Sequence, residues 1–365
     1  MTRSRLQNLQ IAVLPGDGIG LEVMPVCIEL LDRTIALAGA TPLSYETLPC
    51  GAGLYQETGN ALPDGTVARA RNADAILLGA MGLPHIRYPD GSEIVPQIEL
   101  REILELYAGV RPVRTFPGLP VPLSDPRAQS LDLVLIREST EGLFAGRGKT
   151  VLEADEAAND TMRITRQGSD RLFDFAFSLA RHRKKNGKPG RVTLIDKANV
   201  LGSMAFFRTV FDERAAINPD VAVDRRYVDA MALSLIRNPW DFDVLVTENM
   251  FGDILSDEGA ALMGGLGFAP SADIGHDHAV FQPCHGTAPD IMGTGKANPT
   301  AMILSGAMML EWLAERHNEP GLGHAAKRLT TAVEQAFATG TINPCETGGS
   351  DGLKQVHHAI VANLA

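Results

Sequence analysis

The chain is short of basic charge. Its 33 Lys and Arg are outnumbered by 44 Asp and Glu, for a formal net charge of -11, so it lacks the basic footprint that nucleic acid or an anionic membrane surface demands of a main partner. An anionic substrate then needs a locally basic pocket. Cysteine is scarce too: Cys27, Cys50, Cys284 and Cys345 stand far apart with no CxxC spacing, which argues against a disulfide or zinc framework and for reduced thiols in the cytoplasm. No apolar run is long enough to span a bilayer, and the polar stretch 1–10 has no signal-peptide h-region. Internal repeats and low-complexity tracts are also missing. At 365 residues with 45% hydrophobic and 21% charged side chains, the chain has ordinary globular composition and enough length for two cores.

Short apolar runs at 11–14, 75–78, 131–136, 192–195 and 242–246 read as strands, separated by stretches of helical periodicity. This alternation predicts an α/β protein with a largely parallel sheet buried on both faces. The tail is helical at 299–312 and again at 325–337. Between 146 and 166 the pattern weakens into a polar segment rich in Thr, Asp and Glu, which reads as an arm or an excursion from the sheet.

The most informative motif is Thr247-Glu-Asn-Met-Phe-Gly-Asp-Ile-Leu-Ser-Asp257. Asp253 and Asp257 lie four residues apart at the start of a predicted helix and so share a face. The strand before them puts the pair at a strand-to-helix turn on a sheet rim, where α/β proteins collect ligands. Two hard oxygen donors on such a turn suit Mg2+ or Mn2+; a solvated first turn favoured by the helix dipole is the plainer alternative. Gly16-Asp-Gly18-Ile-Gly20 opens the first helix, but its third glycine comes one position before the GxGxxG pattern requires, leaving a phosphate loop and a plain tight turn both open. Arg101, Arg111 and Arg137 fall near predicted sheet ends and suit a bidentate clamp on the carboxylates of a small acid if the fold gathers them. Lys197 directly follows a strand, a position that suits a general-base lysine, and Asp229 is a third carboxylate after a strand-like run; both also read as structural residues. Cys284 beside His285 resembles a nucleophile and base only superficially, because sequence neighbours seldom share that geometry. The basic run 181–185 reads as the solvated end of a helix whose apolar face carries Leu172, Phe173 and Ala176.

Together these segments resemble the β-decarboxylating dehydrogenases, the family of isopropylmalate, isocitrate, homoisocitrate and tartrate or D-malate dehydrogenases. The resemblance runs from Ile11 to about Asn343. It is carried by Leu14-Pro-Gly-Asp-Gly-Ile-Gly20, the segment from Arg101 to Arg111, Ile136-Arg-Glu-Ser-Thr-Glu-Gly142, Asp196-Lys-Ala-Asn-Val200, Tyr227-Val-Asp229, the acidic turn, His285-Gly-Thr-Ala-Pro-Asp-Ile291 and Ala297-Asn-Pro299. The resemblance implies a two-domain α/β fold with a central mixed sheet flanked by helices. The first domain would be discontinuous, 1–106 plus 264–365, and would bind the cofactor; the second, 107–263, would carry the dimer interface and the arm near 146–166. It further implies that Arg101, Arg111 and Arg137 hold the substrate carboxylates, with Gln97 and Phe144 also facing the substrate. Asp253, Asp257 and a partner-subunit Asp229 would hold Mg2+ or Mn2+, and Lys197, also from the partner, would take the hydroxyl proton. The implied assembly is a homodimer with shared active sites. The cofactor would lie along His285, Gly286, Thr287, Ala288, Pro289, Asp290, Ile291 and Asn298. Asp290 and Ile291 stand where NADP-dependent relatives tend to carry Lys and Tyr, and a carboxylate suits a free ribose 2'-hydroxyl, so the expected cofactor is NAD.

Two departures stand out. The family's catalytic tyrosine falls at Phe144 here, which leaves the acid for the step after decarboxylation either replaced, with Tyr88 one candidate, or not needed. Ahead of Arg101, Ile94, Val95, Gln97 and Ile98 form a mixed side-group pocket, neither cleanly aliphatic nor built for a third carboxylate. The expectation is therefore a dehydrogenase of (R)-malate-type 2-hydroxy acids of the isopropylmalate dehydrogenase type. Its rivals are a tartrate or D-malate enzyme, a non-decarboxylating relative, and a catalytically weakened dicarboxylate-binding protein.

Overall fold

The structure is a computed structural model that describes residues 8–364; most of the N-terminal stretch read above, residues 1–7, lies outside the described residues. The opening apolar run forms β1 (Leu9–Gly16) and passes directly into α1 (Gly20–Ala38), whose apolar stripe from Val23 to Ile35 is buried. Next come β2 (Leu43–Thr47), α2 (Ala52–Thr58), α3 (Asp64–Asn72) and β3 (Ala75–Ala80). All six residues of β3 are buried, as a strand covered on both faces requires. The chain then forms α4 (Pro96–Ile103), β4 (Ala108–Arg114) and β5 (Asp132–Glu138). An exposed hairpin of β6 (Val151–Glu153) and β7 (Ala157–Asn159) occupies the polar segment and makes its own small sheet. It is followed by α5 (Arg166–Lys185), β8 (Arg191–Asp196), α6 (Gly202–Ala216), β9 (Ala222–Tyr227), α7 (Val228–Arg237), β10 (Val244–Thr247) and α8 (Asn249–Leu262). The chain closes with β11 (Pro270–Ile274), β12 (Ala279–Pro283), α9 (Thr300–His317), α10 (Pro320–Ala338) and α11 (Leu353–Ala362).

Ten strands form one sheet in the order β2-β1-β3-β12-β11-β4-β5-β10-β8-β9. It is mixed, and the largely parallel sheet expected from the alternation pattern needs correcting at the centre. Both outer parts are parallel, but β12, β11, β4 and β5 pair antiparallel with one another. A helix-sized crossover links parallel neighbours, whereas β11 and β12 are joined by a short turn that only an antiparallel pair allows. Helices cover both faces, and a continuous apolar core runs from Leu9 to Leu364. No helix among the described residues is long and apolar enough to cross a membrane.

The basic run 181–185 is the end of α5, with Leu172, Phe173 and Ala176 buried on the opposite face. Its two arginines are held by carboxylates, Arg181 by Asp220 and Arg183 by Asp132 and Asp243. The four cysteines are unbridged.

Candidate active site

The antiparallel centre of the sheet gathers the arginines. Asp273 of β11 stands opposite Gly109 of β4, which in turn stands opposite Arg137 of β5. Directly opposed residues of antiparallel strands point to the same face, and so does Arg111, two residues along β4 from Gly109. Gln97 and Arg101 lie four residues apart on α4 and so share a face of that helix. The result is a cavity of about 220 Å³ lined by Arg101, Arg111, Arg137, Gln97, Phe144, Asp253 and Asp257, with Ser256, Gln282, Cys284, His285 and Gly286 completing much of the wall.

The acidic pair reaches this cavity because α8 begins at a fixed point. The side chain of Glu248, buried at the end of β10, accepts hydrogen bonds from the backbone N–H groups of Met250 (3.1 Å) and Phe251 (2.6 Å), two donors that an uncapped helix would leave without partners. At Gly252 the helix comes so near β5 that a Cβ would lie 2.7 Å from the Cβ and Cγ of Arg137. One turn of α8 is thereby seated on the arginine. Arg137 donates from Nε to Asn249 Oδ1 (2.9 Å) and from Nη1 to Asp253. Burial lowers its pKa, assisted by the nearby Arg101, to about 10, so it stays charged near neutrality. The Asp257 carboxyl is raised, first by loss of solvent and then by the charge of Asp253. Two hard oxygen donors whose charges repel each other across one helical turn fit a divalent cation.

Asp229 does not join them. It sits in the first turn of α7, where its Oδ1 is 2.6 Å from Lys197 Nζ, because Lys197 and Asp229 follow the neighbouring parallel strands β8 and β9. Neither residue lines the cavity of its own chain, and among the described residues no group of three His, Cys, Asp or Glu side chains gathers as a metal site. The Lys197–Asp229 pair lies at the surface, with the aspartate side chain 68% exposed and the lysine half-buried. Exposed apolar side chains lie near it along the chain, Val200 and Leu201 after Lys197 and Leu233 and Ile236 on α7, and Ile254 is exposed on α8 next to Asp253.

Phe144 begins a short 3-10 turn and lies with its ring centre 5.3 Å from the Arg137 guanidinium. Tyr88 is not part of the cavity wall. Its ring packs edge-on against Tyr55 and its hydroxyl donates to Glu99 at 3.4 Å.

The glycine loop is engaged within the protein. A Cβ at Gly18, whose φ is +56°, would lie 2.1 Å from the carbonyl oxygen of Thr287, and the neighbouring Ile19 N–H donates to that same oxygen at 2.9 Å. Asp17 accepts from the backbone N–H groups of Ala52, Gly53 and Gly82. Of the two readings left open, the tight turn is the one the structure bears out. The turn clasps the segment from His285 onward. Within that segment Thr287 Oγ1 donates to Gly82 O (2.6 Å), while Ala288 holds a left-handed φ of +38°. Pro289 and Asp290 are exposed, with Ile291 half-buried beside them. His285 Nδ1 is 2.9 Å from Gly286 O, and its Nε2 is buried with no partner among the described residues. Burial also lowers its pKa and keeps the ring neutral near pH 7. Asn298 accepts from the N–H and the hydroxyl of Thr300 at the start of α9. A buried ring nitrogen without a partner and an exposed carboxylate form a polar edge suited to a nucleoside.

Three residues of the site were not picked out from the sequence. Asn249, inside the acidic motif, orients Arg137. Gln282 lines the cavity. Asp273 is a fully buried carboxylate behind the wall whose Oδ2 accepts from Arg101 Nε (2.9 Å) and whose Oδ1 accepts from Arg111 Nη2 (3.1 Å). Burial alone would raise its pKa, but Arg101, Arg111 and Arg137 together outweigh that and hold it at about 2. A lone acid in the apolar run Pro270-Ser-Ala-Asp-Ile274 was the available signal.

A family profile described as isocitrate/isopropylmalate dehydrogenase matches residues 10–356. The chain is 41% identical over 343 residues to a 3-isopropylmalate/3-methylmalate dehydrogenase of Methanocaldococcus jannaschii, covering 93% of this chain and 94% of that one. It is 42% identical over 331 residues to a homoisocitrate dehydrogenase of the same organism, covering 87% and 89%. The crystal structure of isocitrate dehydrogenase from Methylococcus capsulatus superposes with a TM-score of 0.83 at 36% identity, over 98% of this chain and 99% of that one. These relatives are named for different substrates while their identities to this chain are close, so overall similarity does not choose among those substrates.

Proposed function

The chain belongs to the isocitrate/isopropylmalate dehydrogenase family and is a β-decarboxylating oxidoreductase acting on a CH–OH group; within that family we propose an NAD- and Mg2+- or Mn2+-dependent dehydrogenase of (R)-malate-type 2-hydroxy acids, of the 3-isopropylmalate dehydrogenase type. The observation that carries this reading is the convergence of Arg101, Arg111 and Arg137 on one cavity that also holds Asp253 and Asp257. Guanidinium groups recognise carboxylates through paired N–H donors, and three of them orient a small acid with its hydroxyl toward the acidic pair. Asp253 and Asp257, with Asp229 of the partner subunit, would hold the cation. Bound there, the cation supplies Lewis acidity at the hydroxyl oxygen and NAD supplies the hydride acceptor. Lys197 of the partner subunit, paired with Asp229 as an ammonium when the site assembles, releases that proton to solvent, and its neutral amine then takes the hydroxyl proton, with Asp229 steadying the ammonium that forms.

The second copy is argued from two features: a cavity without its base, and an exposed apolar face beside the Lys197–Asp229 pair. A twofold dimer through α7 and α8 brings each pair to the other chain's cavity. The domain division at 106/107 and 263/264 follows the sheet, since every strand from β4 through β10 in sequence that joins the main sheet lies on one side of the β11–β4 boundary. Preference for NAD rests on the exposed Asp290 carboxylate, which suits a free 2'-hydroxyl and repels a phosphate. Reduced thiols fit a cytoplasmic setting.

The test follows NADH and CO2 together with isopropylmalate, D-malate, tartrate, isocitrate and homoisocitrate, each with NAD and Mn2+. Equal amounts of NADH and CO2 from a malate-type acid are expected. NADH without CO2 would make Phe144 the mark of an oxidation that stops at the keto acid, and binding without NADH would favour a dicarboxylate-binding protein.

A further inference from the structure

The site holds one buried charge that the proposed reaction does not use. Asp273 is fully buried in β11, and the partners of its carboxylate all belong to the cavity wall: Arg111 Nη2 at Oδ1 (3.1 Å), and Arg101 Nε (2.9 Å) and Gln282 Nε2 (2.7 Å) at Oδ2. Two of the three arginines that face an anionic substrate are therefore ion-paired from behind. Arg111 is committed further, donating from Nη1 to the backbone carbonyls of Ala272 (3.1 Å) and Val110 (3.2 Å).

The charge count has a consequence for the substrate. Arg101, Arg111 and Arg137 are balanced by Asp253, Asp257 and Asp273, so the site is formally neutral before anything binds. Lys197 and Asp229 of the partner subunit enter as a neutral pair. A divalent cation on the acidic pair leaves two positive charges, which two carboxylates match. A third carboxylate would sit in a half-enclosed cavity with an uncompensated negative charge. No cation besides the three arginines lines that cavity among the described residues, and the wall next to Arg101 offers Gln97, Ile98 and Met81.

Building on the function proposed above, we propose that Asp273 is a specificity-determining residue that sets the arginine clamp for a 2-hydroxy dicarboxylate and against a tricarboxylate. It acts through Arg101 and Arg111 and does not touch the substrate. Its removal frees one unit of positive charge beneath the clamp, and charge mismatch of this kind is a strong discriminator between otherwise similar ligands.

The experiment is calorimetric titration of the full-length protein with Mn2+ and, separately, isopropylmalate, D-malate, isocitrate and homoisocitrate, for the native chain and for Asp273→Asn, with kcat/KM ratios measured in parallel. The native protein is expected to prefer the dicarboxylates by at least about 10-fold, and Asp273→Asn to reduce that preference by about 10-fold. The side-group shapes are the same in both titrations, so the change in ratio reports charge, which a merely structural role of Asp273 would leave untouched. An unchanged ratio in folded Asp273→Asn would overturn the proposal. So would a native protein that binds the tricarboxylates as tightly as the dicarboxylates, a result that decides the matter even if the variant does not fold. Calorimetry needs no NAD, so acids that bind yet form no NADH count against the dehydrogenase function alone.

Discussion

Two charge clusters in this chain both pair basic side chains with aspartate and are placed in opposite ways. Arg111, Arg137 and Asp273 are sunk into the antiparallel centre of the sheet with Arg101 of α4 against them, and the ion pairs to Asp273 cross between elements where solvent is nearly excluded. Lys197 and Asp229 stand at the ends of β8 and β9 near the sheet's far edge, 2.6 Å apart and facing solvent. A buried cluster is rigid and costly to desolvate, so it serves to hold an anion in one orientation. An exposed pair contributes little to stability. Its placement on the same helix as the exposed Leu233 and Ile236 suits it to the proposed cover by a second chain. One chain therefore carries the whole of the proposed clamp and metal-binding turn but presents the proposed base outward.

The largest effect should come from separating the clusters chemically. Lys197→Ala is expected to lower kcat by about 100-fold to 10,000-fold while leaving the thermal stability close to native, since its partner is exposed. Arg137→Ala should lower activity comparably and also destabilise the protein, because it leaves Asn249 and Asp253 without their buried donor. Unfolding curves beside steady-state kinetics separate the two cases, and equal destabilisation would erase the distinction.

Ile254→Arg puts a charge in the middle of the apolar face. It should weaken self-association by about 100-fold, with activity falling on dilution in step with dimer loss in sedimentation. Activity that survives in a monomer would show that the exposed pair has another purpose. Phe144→Tyr is the next smaller change: NADH and CO2 should stay equal while kcat rises, by up to about 100-fold if proton delivery after decarboxylation limits turnover. An unchanged kcat would rule out residue 144 as the missing acid.

The smallest effect concerns acid stability. The Asp273 carboxyl is lowered on folding from its ordinary 3.8 to about 2, so its contribution is fully present above the unfolded value and is lost as pH falls through the folded one. The native protein should lose stability across that interval, and Asp273→Asn should lose less. Identical acid limbs in the two unfolding profiles would mean that the buried cluster does not hold the charge assigned to it.

The same contrast explains what the sequence disclosed. Strands with uninterrupted apolar interiors, such as β3 and β10, and the long amphipathic helices α1 and α10 were recognisable because burial on a periodic face leaves a local pattern, while α9 was recognisable as a long apolar run that is buried nearly all round. Strands β4, β11 and β12 were not. They carry Arg111, Pro112, Pro270, Asp273, Gln282 and Pro283, which discourage a strand reading, and these charges are tolerated only because Arg111 and Asp273 pair across neighbouring strands. Such pairing joins positions 162 residues apart and leaves no local trace. Asp253 and Asp257 were legible from spacing and the flanking strand. The arginines were legible as candidates, while their convergence depends on register. Gly18 was ambiguous because its motif suits a bound phosphate or a close protein contact, and only the proximity of Thr287 decides between them.

The most direct test of a site made from two chains is complementation. Lys197→Ala and Arg137→Ala proteins, each inactive alone, are mixed, dissociated and reassociated, and NADH formation from a malate-type acid is followed. If the clamp of one chain works with the lysine of another, mixed dimers contain one intact site and the mixture regains about a quarter of native activity, as random pairing with one working site in each mixed dimer requires. A mixture as inactive as its components, with mixed dimers demonstrably present, would contradict the account and place both clusters in the service of a single chain.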